Sequence, residues 1–223
     1  MTAAAPRAVF RTPWLTVREA LESEPSGTQR SWYYLDHPGC ALVLPVTADG
    51  TLLLIRSWRI AVRQWCLEAP AGRCEPGESP EETARRELAE ETGARAGALH
   101  PLGTVWPSSG SSNEEVHLFL APDVRSGMPH HDDGEVIRQR PVPVDDALAL
   151  AISGELQDGP TALALLRAHR RGLLPAVAPA SAAVSPAALT DSATAEARPA
   201  ATTAAPLATP GPGPAPKNPK EAR

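Results

Sequence analysis

The sequence predicts an α+β fold in which a mixed β-sheet lies between helices. Three observations carry this. Pairs of apolar extended stretches come first, one strongly capped helix follows, and further extended stretches lead into two helical patterns. An Asp-Gly turn joins the two most apolar stretches, ALVLPVT and TLLLIRS. Beyond about Gly172 the composition changes to Ala, Pro, Thr and Ser with few large apolar side chains, so the packed part is expected to end there.

The elements are justified in chain order. Pro13–Glu22 and Gln29–Asp36 are extended stretches separated by the turn-rich SEPSG, and together they suggest an N-terminal antiparallel arm over residues 8–37. Ala41–Thr47 and Thr51–Ser57 flank Ala48-Asp49-Gly50 and read as a hairpin. Cys66–Pro70 is a short strand running into Gly72. Ser79-Pro80-Glu81-Glu82 is a helix start: Ser79 caps, Pro80 suits the first turn, and Glu82 completes a capping box. Gly93 suits the left-handed residue that ends a helix, so the helix spans Pro80–Thr92. Ala98–Trp106 and Glu114–Ala121 are strands around the turn-forming PSSGSSN. Pro141–Val144 is a short extended piece that its two prolines confine to a sheet edge. Asp145–Gly154 is helical, with Asp145 or Asp146 near its start. Thr161–Arg171 is an amphipathic helix with Leu163, Leu165, Leu166 and Ala168 on its apolar side. The central domain is therefore placed at 38–172. Residues 173–223 hold ten of the 25 prolines and cannot bury enough surface to offset their ordering entropy, so a disordered tail is expected.

Bulk properties exclude several functions. A net charge of −5 argues against a sequence-independent grip on nucleic acid. Cys40, Cys66 and Cys74 are odd in number and form no C-x-x-C pair, so neither a disulfide framework nor a zinc site is indicated. A reduced, cytoplasmic compartment is the expectation. The N-terminal residues lack the continuous apolar stretch of a signal peptide, and no apolar run is long enough to span a bilayer.

The chemistry concentrates in residues 72–94, GRCEPGESPEETARRELAEETGA. On the helix, Glu87, Glu90 and Glu91 are spaced i, i+3, i+4 and share one face. Three carboxylates on one face repel one another, which costs stability unless a cation sits there. Hard divalent cations prefer carboxylate oxygen and keep positions open for phosphate. The bland alternative is a solvated acidic face. Against it stand Gly72, Glu78, Arg86, Glu87, Leu88, Glu90, Glu91 and Gly93, which match the signature of the Nudix family in identity and spacing. Ala94 departs from the larger aliphatic residue usual at the last position.

The resemblance to Nudix hydrolases implies an α/β/α sandwich and hydrolysis of a nucleoside diphosphate linked to another group. Flanking residues resemble the ADP-ribose pyrophosphatase subgroup. Arg56-Ser57-Trp58-Arg59 is similar to its R-Q-Y/F-R stretch, and Leu67-Glu68-Ala69-Pro70-Ala71-Gly72 to its aliphatic-Glu-x-Pro-Ala-Gly. Ser108–Glu114 resembles its S-P-G-x-S-D-E, departing at Ser109 and Asn113. His117–Ala121 and the later GELQDGPTALALL continue the likeness, which spans roughly residues 37–171.

Roles follow from that resemblance. It implies that Glu87 and Glu91 ligate Mg²⁺ (Mn²⁺ being a possible substitute), with Glu90 close by or sharing the ions and the Ala71 carbonyl as a further ligand. Arg86 would orient a carboxylate of the box, either Glu78 or Glu90. Glu114 is the candidate base on a Gly/Ser-rich loop that can swing over substrate, with its neighbour Glu115 as the rival. Arg59 is the candidate for the pyrophosphate or terminal ribose. Glu68 joins the substrate side, either as a supporting carboxylate or as a cap on the sheet. In similar enzymes an N-terminal arm exchanges between subunits and stacks aromatics on adenine. Trp32 is the stacking candidate and Trp14 the lesser one, whereas Trp58 and Trp65 suit core or dimer contacts.

The combined expectation is an Mg²⁺-dependent, cytoplasmic homodimer acting on a small nucleotide, ADP-ribose to AMP and ribose 5-phosphate, without nucleic-acid or membrane partners. Other nucleotide sugars or oxidised nucleotides are the alternatives within catalysis. A non-catalytic ADP-ribose-binding regulator, or an adaptor working through the Pro-rich tail, are the alternatives outside it.

Overall fold

The computed structural model describes residues 5–125, 127–129 and 136–175. The elements are β1 (Arg7–Arg11), β2 (Thr16–Ser23), β3 (Gln29–Asp36), β4 (Cys40–Pro45), β5 (Thr51–Arg59), β6 (Gln64–Glu68), β7 (Ala71–Arg73), α1 (Pro80–Thr92), β8 (His100–Val105), β9 (Val116–Ala121), β10 (Ile137–Pro143), α2 (Val144–Ser153) and α3 (Gly159–Arg170). They form three sheets in the orders β1-β2-β3, β10-β5-β6 and β7-β4-β9-β8. The last is mixed, because β4 pairs with β9 in parallel and with β7 antiparallel.

Strand β4 shows why the layers form. Its side chains alternate between two faces, and both are apolar. Ala41 and Val43 join Ala84 and Leu88 of α1 in one core cluster. Leu42 and Leu44 join Leu118, Leu120, Leu165 and Ala168 in the other, beneath α3. The sheet therefore needs a helix on each side, which is the expected α/β/α arrangement. Each fully buried leucine contributes about 1.5–3 kcal/mol. No helix among the described residues is long and apolar enough to cross a membrane.

Several expectations change in detail. The Ala48-Asp49-Gly50 turn forms, with Thr47 and Gly50 hydrogen-bonded across it, but its strands do not stay together. Beyond the Thr47–Thr51 hydrogen bonds, the Val46↔Leu52 bridge joins them, and β4 and β5 then diverge into different sheets. Both strands are buried on two faces, so each finds ladder partners elsewhere. Strand β10 is longer than Pro141–Val144 but is an edge strand, and its register sets Pro141 and Pro143 against β5. On α3 the buried face is Thr161, Ala164, Leu165 and Ala168, while Leu166 is exposed, so the apolar stripe is rotated from the expected one. β1 was not foreseen; it is a wholly exposed edge strand on β2.

The N-terminal sheet carries apolar side chains outward, including Trp14, Trp32 and Tyr33. It is tied to the rest of the chain by Leu35 N–H to Ser111 O at 2.9 Å and by Arg73 Nη1 to Trp14 O at 2.9 Å.

Of the expected tail, residues 176–223 lie outside the described residues. Packing continues past Gly172, since Leu173 N–H bonds Ala168 O and Leu174 packs on the main core. On the sequence-based expectation of a disordered tail, a chain ending at Pro175 should melt at the temperature of the full chain. One ending at Gly172 should lose about 1 kcal/mol and melt about 2–4 °C lower, a difference that calorimetry reads directly.

Candidate active site

Helix α1 begins and ends as its local chemistry dictates. The Ser79 side chain accepts from Glu82 N–H, and Ser79 N–H donates to the Glu82 carboxylate at 2.8 Å. Gly93 closes the helix at φ +69°, where a Cβ would also run into the backbone of Gly127 and Met128.

Arg86 organises the acidic residues. Nε donates to Glu78 Oε1 at 3.0 Å, and Nη2 to Glu78 Oε2 at 3.1 Å and Arg73 O at 3.0 Å. Nη1 donates to Glu87 Oε1 at 2.7 Å and Glu90 Oε2 at 2.9 Å. The guanidinium thus serves both of the expected partners, Glu78 and Glu90, and Glu87 as well. Its hydrogen bonds pull the Glu78 carboxyl down to about 2, and the same carboxylates hold Arg86 firmly charged.

Glu91, and Glu87 as well, face the start of β7. Glu91 is buried, and its Oε2 accepts from Ala71 N–H at 3.1 Å. Glu87 lies so close to Gly72 that a Cβ there would overlap its carboxylate. Two glutamates one helical turn apart therefore meet the same two residues of backbone. Among the described residues, no three His, Cys, Asp or Glu side chains gather into a metal cluster. Arg86 draws Glu87 towards Glu90, and Glu91 is turned onto the Ala71 amide. Two carboxylates against a glycine that leaves room for them are nevertheless oxygen donors of the kind a hard divalent cation takes.

A cleft of about 570 Å³ opens beside this turn, lined by Ala71, Gly72, Arg59, Glu68, Glu114 and His37 among others. Arg59 Nε donates to both Glu68 oxygens, at 2.8 and 3.1 Å, and Nη2 donates to Oε2. Burial raises the Glu68 carboxyl from its ordinary range, while the Arg59 hydrogen bonds oppose this and keep the guanidinium charged. Arg59 and Glu68 thus reach the cleft as a mutually held pair. Burial also pushes up the thiols of Cys40 and Cys66, which line the same cleft and are inert in that form.

Glu114 stands on the cleft wall, whereas Glu115 does not line it. The preceding loop is pinned at its end to β3. Asn113 N–H bonds Leu35 O, its Oδ1 accepts from His37 N–H at 2.7 Å, and its Nδ2 donates to Asp36 at 3.0 Å. The loop expected to swing is thus anchored immediately before Glu114. Trp32 is not brought to the cleft; it lies exposed on the N-terminal sheet with Arg30 over its ring at 5.5 Å. Trp58 and Trp65 pair edge-on across β5 and β6 at 5.9 Å. His37 was missed in the sequence. Its Nδ1 accepts from Gly39 N–H, Nε2 lies 4.0 Å from Glu114 Oε1, and burial lowers its pKa. A lone His before Pro-Gly gives no local signal of this.

An α/β/α sandwich whose capped helix sets two glutamates against Ala71 and Gly72, at the border of a cleft, has the carboxylate-built centre of a hydrolase class. The chain belongs to the Nudix family: the NUDIX domain description matches residues 36–163. It is 37% identical over 143 residues to the ADP-ribose pyrophosphatase of Bacillus subtilis, covering 63% of this chain and 77% of that protein. It is 32% identical over 145 residues to the GDP-mannose pyrophosphatase of Yersinia enterocolitica, covering 61% and 75%. A crystal structure of an ADP compounds hydrolase shares the fold, with a TM-score of 0.60 at 24% identity, covering 78% of this chain and 96% of that one.

The contact between Gly72 and Glu87 yields a direct test. Gly72→Ala should force the Glu87 carboxylate aside; if Glu87 serves the chemistry, hydrolytic turnover should fall by about 10²-fold, the usual cost of displacing such a group by about 1 Å. The fold should survive, because the clash is with one side-chain end rather than with backbone. Steady-state kinetics with a circular-dichroism melt checks both halves, and normal turnover contradicts the placement of Glu87.

Proposed function

We propose that this chain hydrolyses ADP-ribose to AMP and ribose 5-phosphate, using Mg²⁺ with Mn²⁺ as a substitute. The observation that carries the reading is the convergence of Glu87 and Glu91 on Ala71–Gly72, on a cleft whose wall presents Glu114. Higher identity to the relative named for ADP-ribose than to the one named for GDP-mannose supports this substrate over that one.

In this reading Glu87 and Glu91 hold the cations with the Ala71 carbonyl, and Glu90 shares them. Bound divalent cations would neutralise the pyrophosphate and lower the pKa of an attacking water. Arg86 keeps Glu87 and Glu90 oriented. Arg59, held by Glu68, directs a permanent positive charge at the substrate. Glu114 accepts the proton of the attacking water. The exposed Trp14, Trp32 and Tyr33 support a homodimer in which one protomer's N-terminal sheet covers its partner and Trp32 stacks on the base, worth about 1–3 kcal/mol.

Turnover of ADP-ribose, GDP-mannose, other sugar nucleotides, dinucleoside polyphosphates and oxidised nucleotides, with Mg²⁺ and with chelator, tests the substrate. ADP-ribose should give the highest kcat/KM, and chelator should abolish it. A different preferred substrate replaces the ADP-ribose assignment, and absence of turnover on all favours a binding regulator.

Glu114 on the cleft wall, with Glu115 off it, supports Glu114 as the base. Glu114→Gln should lower kcat by about 10²–10⁴-fold with KM little changed, the usual worth of a general base. Glu115→Gln should behave nearly as the unaltered chain. Loss confined to Glu115→Gln moves the base by one residue. Loss in neither moves it into α1, where Glu90 and Glu91 are next to test.

A further inference from the structure

The segment Glu68–Ala71 is where the chain leaves the β10-β5-β6 sheet and enters the β7-β4-β9-β8 sheet. Between two ladders, its backbone groups must find other partners. Pro70 O accepts from Val43 N–H at 2.9 Å, and Ala71 N–H donates to Glu91 at 3.1 Å. Ala69 is buried, and its N–H donates to the Thr161 hydroxyl at 2.9 Å, across 92 residues of sequence. Thr161 is itself fully buried, and its hydroxyl donates to Asp158 Oδ2 at 2.5 Å. Asp158 caps α3 by accepting from Thr161 N–H at 3.0 Å, and it lines the cleft. A further bond, Gln64 Nε2 to Gln157 Oε1 at 2.9 Å, ties the same α3 entry to β6.

We propose that Thr161 and Asp158 are positioning residues for the cation site, fixing the Glu68–Ala71 segment from the α3 side as Glu91 fixes it from the α1 side. This rests on the reading above of Glu91 and the Ala71 carbonyl as ligands. The hydroxyl is suited to the task because it accepts from Ala69 while donating to Asp158. The Asp158 carboxylate has no proton to give, so it orients the hydroxyl with its lone pairs towards the strand. Neither residue touches the cations; they determine where the Ala71 carbonyl stands. Sequence reading passes over them because D-G-P-T looks like an ordinary helix start.

The test is Mn²⁺ binding to the nucleotide-free full chain, followed by the electron paramagnetic resonance of free Mn²⁺ well below the melting temperature. Thr161→Val keeps the shape and removes the hydroxyl. It should weaken Mn²⁺ binding by about 10-fold or more, as losing a group that supports a metal ligand typically does. Thr161→Ser should restore affinity to within about twofold. A purely structural Thr161 would lower the melting temperature of Thr161→Val and leave Mn²⁺ affinity unchanged, which overturns the proposal. Should Thr161→Val not fold, Asp158→Ala keeps the hydroxyl but removes its orienting carboxylate. Weaker Mn²⁺ binding by that variant supports the proposal, and unaltered binding overturns it. Failure of the unaltered chain to bind Mn²⁺ is a different result: it removes the cation site itself, and the reading on which this inference rests.

Discussion

The site depends on one cation built into the chain. Helix α1 and the loop before it bring Glu78, Glu87 and Glu90 within reach of one another, and uncompensated they would repel. Arg86 resolves this with its planar fork: five N–H donors meet three carboxylates and the Arg73 carbonyl. Lysine has no such geometry and would satisfy fewer of them. The guanidinium is largely withdrawn from solvent, at 25% side-chain exposure, so its pairings are screened less than surface ones. It fixes the carboxylates before any ligand arrives. The depressed Glu78 carboxyl is the thermodynamic face of that arrangement.

A second constraint is the crossing between sheets. Strand β4 is apolar on both faces, so helices must cover both, and α1 and α3 approach the same strand from opposite sides. The Ala69–Ala71 turn runs between them. It takes a hydrogen bond from its Ala71 amide to α1 and another from its Ala69 amide to α3. Core packing and site geometry are thus one problem: the burial that stacks the helices also brings Glu91 and Thr161 to the turn.

What the sequence disclosed, and what it did not, divides by range. Helix α1 spans the expected residues because Ser79, Pro80, Glu82 and Gly93 act within one turn of its ends. Strand β3 likewise matches, bounded by local turn formers. The acidic face was legible because spacing on a helix is geometry, whereas the Arg86 pairings followed from the family resemblance, Glu78 lying outside α1. Long-range partners were not. Asp49-Gly50 reported a turn but could not report that β4 prefers β9 and β7 to β5. Leucines on α3 suggested a stripe, yet the face against β4 and β9 includes the buried hydroxyl of Thr161 instead of Leu166. Nothing near His37 shows that Asn113 and Gly39 will hold it beside Glu114. Trp32 lies exposed on the N-terminal sheet and away from the cleft, which no local pattern in the sequence encodes.

The proposed divalent-cation site lies between the acidic face of α1 and the start of β7 at Ala71–Gly72. Anomalous diffraction from crystals grown with Mn²⁺ tests this most directly, because the signal locates the ion without reference to activity. A peak is expected between the Glu87 and Glu91 carboxylates and the Ala71 carbonyl oxygen, with Arg86 still bonded to Glu78. A well-ordered crystal with no peak there, or with its ion held by other residues, would contradict it.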